Sequence, residues 1–300
     1  MGKFNEITAI VKGTKKYKNN FRYWPLVYYH MATGKYPFWA TTRDGRKVRI
    51  HGINELFLLM AQVHDYEYNE GEKTLILNFL GKNLYFYGTE RNGDIPSVFF
   101  GRDYDSLDVK GKDVLDIGAN IGDSTVFFCV KGARRVIAVE PFENSFNFCE
   151  KNVKANGCDK VVKVLNVGIG SMTGSISIPT DQDFSTIDNL MKNRKDTERS
   201  TMVPVYSLQS ILYQEKIEDG VLKMDCEGCE YDVILSSKIE TLRKIEEYSI
   251  EYHYDPFPLI KKLKEAGFDV TFKSSGGPSY NRSTKTAMTT GIIYAKRSGD

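Results

Sequence analysis

No apolar run in this 300-residue chain approaches the ~20 residues that a membrane-spanning helix needs. The opening, Met1-Gly2-Lys3-Phe4-Asn5-Glu6, has no apolar signal-peptide core. It also lacks the Ser or Thr of a myristoylation signal. Internal repeats and low-complexity stretches are absent. Cysteine is scarce, with five residues, an odd number, and no framework spacing. That pattern argues against a disulfide-stapled secreted domain and for a reducing compartment. Together these absences predict a cytoplasmic protein. What is present, 41% hydrophobic and 27% charged residues, fits a soluble globular chain.

The net charge of +2 hides an asymmetry. Residues 1–50 carry eleven Lys and Arg against Glu6 and Asp44, a local charge of +9, and the remainder is therefore −7. The same segment is aromatic, with Trp24, Tyr28, Tyr29, Tyr36, Phe38 and Trp39. Basic plus aromatic character suits nucleic acid, an anionic membrane surface or a phosphorylated substrate. It equally suits a solvated basic face over an aromatic packing layer.

The most informative segment is Val114-Leu-Asp-Ile-Gly-Ala-Asn-Ile-Gly122, followed by Val136-Ile-Ala-Val-Glu140. A short apolar run ends at Asp116, a glycine-rich turn follows, and a second apolar run ends in an acid. This is the sequence form of a strand, a tight turn, a helix and a parallel strand around a nucleoside-containing ligand. Gly118 and Gly122 let the backbone bend and approach the ligand. Glu140 stands 22 residues after Gly118, close to the roughly 20 expected of a ribose-binding acid. The turn is Asp-x-Gly-x-Asn-x-Gly rather than Gly-x-Gly-x-x-Gly. An acid here repels a pyrophosphate and welcomes the amino group of a methionine, which favours S-adenosylmethionine over NAD. Asn120 belongs to this turn, and Asn166 is placed at the adenine end from the third strand.

Along the chain, residues 4–33 read as helical, with Pro25 marking a break or a first turn. Phe38–Thr42 with Lys47–Ile50, and Lys73–Phe79 with Asn83–Tyr87, read as hairpins around a short helix at Asn54–Val63. From Lys112 onward strands alternate with helices. Strands are predicted at 113–117, 135–140, 161–167, 220–225, 248–253, 268–272 and 290–295, with helices at 123–131, 143–156 and 259–266. Such alternation implies a largely parallel sheet covered on both faces, with ligands outside the carboxyl ends of its strands. Asp116, Glu140, Asp225 and His253 all fall at predicted strand ends. Short strands at 175–179 and 201–205 flank a polar loop with Asp181, Asp183, Ser185, Thr186 and Asp188, read as a lid or a surface excursion.

Leu222-Lys-Met-Asp-Cys-Glu-Gly-Cys-Glu230 delivers Asp225 to the ligand edge, with Glu227 and Glu230 around Gly228. Carboxylates packed this closely repel one another, and such clusters supply general bases; one of the glutamates also suits a helix N-terminus. Cys226 and Cys229 read as small packing positions. No second cysteine pair or close histidine pair completes a zinc site, and no metal is assigned. His253, beside Glu251 on the next strand, is the favoured general base by its intrinsic pKa.

The segment from about Tyr104 to Ala295 resembles the FkbM-type S-adenosylmethionine-dependent methyltransferases. The resemblance is carried by the glycine-rich turn, Ala138-Val-Glu-Pro141, Lys151-Asn-Val-Lys-Ala-Asn-Gly157, the Asp225-x-Glu-Gly-x-Glu230 element and Glu251-Tyr-His253. It implies a Rossmann-like class I fold, an α/β architecture with a mostly parallel seven-stranded sheet and helices on both faces (residues 106–300). An N-terminal α+β extension (residues 1–105) would precede it. The resemblance also implies S-adenosyl-L-methionine as cofactor and O-methylation of a hydroxyl on a sugar, glycan or related metabolite. Asp116, Gly118, Asn120, Gly122, Glu140 and Asn166 would hold the cofactor, and His253, Asp225 and Glu227 would serve catalysis. The family's usual Thr-Leu-Asp before the fourth strand is replaced here by Ser207-Leu208-Gln209. An RNA methyltransferase using the basic N-terminal region is the first alternative, although an Asn/Asp-Pro-Pro-Tyr/Phe element is missing. A non-catalytic binding module is the second.

Overall fold

A computed structural model describes residues 14–90, 93–179, 200–274, 279–281 and 286–299. The chain divides into two units, residues 1–103 and 104–300.

The larger unit is built on seven strands: β1 (Asp113–Ile117), β2 (Arg135–Val139), β3 (Val162–Leu165), β4 (Gly220–Met224), β5 (Ile245–Tyr252), β6 (Phe268–Ser274) and β7 (Gly291–Arg297). Their order is β6-β7-β5-β4-β1-β2-β3. β1 to β5 pair in parallel, and β7 runs antiparallel to both β5 and β6. Every residue of β1 and β4 is buried. That is why these strands read as continuous apolar runs: both faces of the sheet centre are covered. Leu115, Ile137, Leu222, Met224, Tyr248 and Ile250 form the middle of that core. The order reverses between β1 and β4, so the crevice at the carboxyl ends of these two strands is the place for a ligand.

Among its described residues this unit has helices α1 (Asp123–Val130), α2 (Glu143–Ala155), α3 (Leu208–Gln214), α4 (Cys229–Ser236) and α5 (Phe257–Glu265), with a further short helix at Ile239–Leu242. The start of α3 explains the departure at Ser207, whose hydroxyl accepts the Ser210 amide and caps the helix. Ahead of α3, strands Gly174–Pro179 and Ser200–Ser207 pair antiparallel, and Gly168–Gly170 joins the second in parallel. The polar loop with Asp181, Asp183, Ser185, Thr186 and Asp188 lies outside the described residues.

The cysteines depart from expectation. Cys129 of α1 is bonded to Cys158 beyond α2, and Cys226 is bonded to Cys229, leaving Cys149 as a buried thiol. Cys129 and Cys158 stand 29 residues apart, so spacing gave no signal for that bond. The cysteine pattern therefore no longer argues for a reducing compartment, and Cys226 and Cys229 are more than packing positions. No helix among the described residues is long and apolar enough to cross a membrane.

The smaller unit has a helix at Trp24–Thr33 with Pro25 in its first turn, a hairpin of Phe38–Thr41 and Lys47–Ile50, and a helix at Ile53–Met60. A three-stranded antiparallel sheet follows, Tyr66–Asn69, Thr74–Phe79 and Lys82–Phe86. Its first strand was not anticipated. The aromatic residues divide between two roles: Tyr17, Phe21 and Phe38 pack in the core, whereas Tyr23 and Trp39 are exposed. Part of the basic charge is paired on the surface, Arg46 with Asp44 and Arg49 with Glu70.

Candidate active site

The glycine-rich turn leaves β1 and enters α1. Gly118 has φ +74°, and a Cβ there would lie 1.7 Å from the carbonyl oxygen of Asp225. Gly122 has φ +87°, and its Cβ would meet Cys149 of α2. Both glycines are therefore required by the protein's own packing, not only by the approach of a ligand. Asn120, between them, is also left-handed, at φ +48°.

Asp116 is fully buried. Its Oδ2 accepts the hydroxyls of Ser124 and Thr125 at 2.8 and 2.6 Å, and its Oδ1 lies 3.2 Å from the ammonium of Lys223. Lys223 Nζ also donates to the Gly118 carbonyl at 2.7 Å. Burial opposes the lysine cation, but Asp116 and further acidic partners outweigh it and raise the pKa well above the ordinary value. Asp116, expected to receive a methionine amino group, is held here by a lysine and two hydroxyls. Lys223 went unread in the sequence. The available signal was a single cation inside the apolar strand Gly-Val-Leu-Lys-Met.

Glu140 follows β2 and is 5% exposed. Its two oxygens accept the backbone amides of Asn120 and Phe142, each at 2.9 Å. Burial pushes its pKa up to about 7 against the pull of those amides. Each oxygen keeps a second lone pair for a ligand hydroxyl. The Oδ1 of Asn120 is buried without a hydrogen-bond partner, an acceptor free to meet a donor on a ligand. Asn166 donates its amide to the carbonyls of Glu140 and Pro141, both at 3.0 Å. That amide braces the turn after β2.

Asp225, Glu227 and His253 converge at the ends of β4 and β5. One ligand atom from each lies within 4.8 Å of the others. His253 Nε2 is 3.5 Å from Glu227 and 4.0 Å from Asp225. Glu230, fully buried in the first turn of α4, turns back to accept the amides of Cys226 and Gly228 at 3.0 and 2.9 Å. Its Oε1 lies 3.4 Å from His253 Nδ1. Burial alone would hold the imidazole neutral, yet Glu230, Glu227 and Asp225 together raise its pKa to about 9. The three carboxylates thus favour the protonated imidazole, whereas intrinsic pKa alone led to the expectation of a neutral base. Asp225 and Glu227 are the more open groups, at 26% and 52% side-chain exposure against 6% for His253.

The sheet order, the glycine turn and the acid after β2 define a Rossmann-like class I methyltransferase. Residues 116–270 match the methyltransferase FkbM domain, and the chain belongs to that family. It is a methyltransferase, and its methyl donor is S-adenosylmethionine. Among known proteins, Uncharacterized protein 158B of Sulfolobus islandicus rod-shaped virus 1 is 26% identical over 165 residues, 53% of this chain and 74% of that protein. The solved structure of Methyltransferase FkbM from Methylobacillus flagellatus is 14% identical with a TM-score of 0.43, over 67% of this chain and 47% of that one. That of M. jannaschii TYW2 in complex with AdoMet is 14% identical with a TM-score of 0.42, over 75% of this chain and 87% of that one.

Proposed function

We propose that the protein transfers a methyl group to a hydroxyl of a sugar, glycan or related metabolite. The carrying observation is the convergence of Asp225, Glu227 and His253 at the carboxyl edge of the sheet, beside the turn formed by Gly118, Asn120 and Gly122. S-adenosylmethionine, when bound, supplies a methyl carbon already activated by its sulfonium. Glu140 would accept the ribose hydroxyls and Asn120 would offer its unpartnered Oδ1, while Lys223 and Asp116 hold the turn from beneath. Asp225 and Glu227 face solvent, so an incoming hydroxyl meets these carboxylates before the buried imidazole. The bound donor would give up its methyl group to the acceptor oxygen and keep the bond's electrons on sulfur, and Asp225 or Glu227 would take the hydroxyl proton. His253 holds those carboxylates in position. The decisive assay gives the protein labelled cofactor with lipid-linked glycans, free sugars and total RNA in parallel. Label in the glycan or sugar fraction, stable to base as an ether, is expected; label confined to RNA would replace this reading with nucleic-acid methylation at the basic N-terminal region.

Cofactor binding depends on pH through Glu140. Its carboxylate must be ionised to accept two hydroxyls, so affinity is expected to rise with pH through about 7 and then level off. The effect on the empty fold has the opposite sign. A raised folded pKa contributes stability that is full below the unfolded value and is lost as pH rises through about 7. Glu140→Gln should flatten the binding profile and weaken binding by about 1.5–3 kcal/mol. Calorimetry from pH 6 to 8 reads both effects, and a pH-independent affinity in the unmodified protein would exclude the role given to Glu140.

A further inference from the structure

We infer that Asp225, Glu227 and His253 form a binding site for a divalent cation of the manganese type. This deepens the proposed function, because it rests on the same acceptor site. Ligand atoms about 2.1–2.2 Å from one ion lie roughly 3–4.4 Å apart. The contacts of His253 Nε2 with Glu227 and Asp225, 3.5 and 4.0 Å, fall inside that range. Both are long for a direct hydrogen bond, which prefers ~2.9 Å. Two carboxylate oxygens and one imidazole nitrogen are a mixed donor set. It suits a borderline cation better than magnesium, which prefers oxygen alone, or a thiolate-seeking ion.

The imidazole is an observation independent of the acids. His253 is 5% exposed, and its Nδ1 lies 3.4 Å from Oε1 of the buried Glu230, which orients the ring. Its other nitrogen is aimed from the end of β5 at the two carboxylates carried after β4. A histidine buried in this way, against three carboxylates, is a costly arrangement unless a cation shares the charge. The surroundings hold the donors in place. Glu230 clasps the amides on either side of Glu227, the Asp225 amide donates to the Ile117 carbonyl at 3.0 Å, and the Cys226–Cys229 bond closes the loop. Three protein ligands leave further positions open to the oxygens of an acceptor. Neighbouring hydroxyls on one sugar ring match such a vacancy. One oxygen of each carboxylate goes to the ion, and the second remains for the acceptor's proton.

The test is a titration of the full-length, chelator-treated protein with Mn2+, followed by the electron paramagnetic resonance signal of the free ion and carried out without cofactor or acceptor. One equivalent should bind, and Glu227→Gln and His253→Ala should each weaken binding by about tenfold or more. Glu227 is on the surface, so its variant keeps the fold, which circular dichroism verifies. Absence of binding below about 1 mM, or binding by both variants as tight as by the unmodified protein, overturns the site. Binding is read without turnover, so the two readings fail separately. A protein that methylates glycans in chelator without binding Mn2+ keeps the proposed function and loses the metal. One that binds Mn2+ at these residues yet methylates only RNA keeps the metal and loses the acceptor.

Discussion

Lys223→Ala is expected to destabilise the methyltransferase unit by about 3–5 kcal/mol, the range for breaking one side of a buried ion pair. The cause is what remains. Asp116 would keep its charge in the sheet centre with only Ser124 and Thr125 to bond it, and the Gly118 carbonyl would lose its donor. Lys223 is 3% exposed and Asp116 is fully buried, so water cannot replace the ammonium without opening the sheet. Removing both charges is less harmful than removing one. Lys223→Met combined with Asp116→Asn should therefore recover a good part of the loss, because the amide oxygen still accepts a hydroxyl and no net charge is stranded. Denaturant midpoints of the three proteins check this. A loss below about 1 kcal/mol for Lys223→Ala, the level of an ordinary substitution, would show that the pair contributes little.

Glu227→Gln should lower turnover by about 10²–10⁴-fold, the usual contribution of a positioned proton acceptor. The amide is nearly isosteric with the carboxylate but cannot take the hydroxyl proton. Glu227 is half exposed, so the change should move stability by no more than ~0.5 kcal/mol. It lies on the loop after β4, apart from the Glu140 carboxylate, and cofactor affinity should stay within about twofold. Loss of turnover with retained cofactor affinity separates the acceptor side of the crevice from the donor side. Single-turnover kinetics with saturating cofactor gives the answer, and an unchanged rate would remove Glu227 from the chemistry.

Much of the larger unit was legible because its strands are short, apolar and punctuated by glycine. β1 was placed at its observed limits, and β2 and α2 within a residue, since buried parallel strands and an amphipathic helix announce themselves locally. Asp225 and His253 were legible as strand-end residues and Glu227 as part of the turn after β4, and the structure brings them together. Their electrical state was not, because it depends on Glu230 folding back from α4 to face the imidazole. Lys223 escaped for a related reason: a lone lysine in an apolar strand declares itself only when its partner, 107 residues earlier in the chain, is known. The Cys129–Cys158 bond likewise joins positions that only the packing of α1 on α2 brings close. In the smaller unit Tyr66–Asn69 alternates half-buried and exposed positions on a sheet edge, too polar a segment to stand out as a strand.

The loop after β4 carries a kinetic consequence. Residues 225–229 are tied by a disulfide, by both oxygens of Glu230 and by a backbone bond to β1. Such a segment has already lost its conformational freedom during folding, so it gives up little more when an acceptor arrives. Association at this edge should then be governed by diffusion and desolvation rather than by loop ordering. Reduction of Cys226–Cys229 would return part of that entropy to the free protein and act first on the rate of acceptor capture, leaving the affinity for the methyl donor to the separate rigidity of β1 and β2.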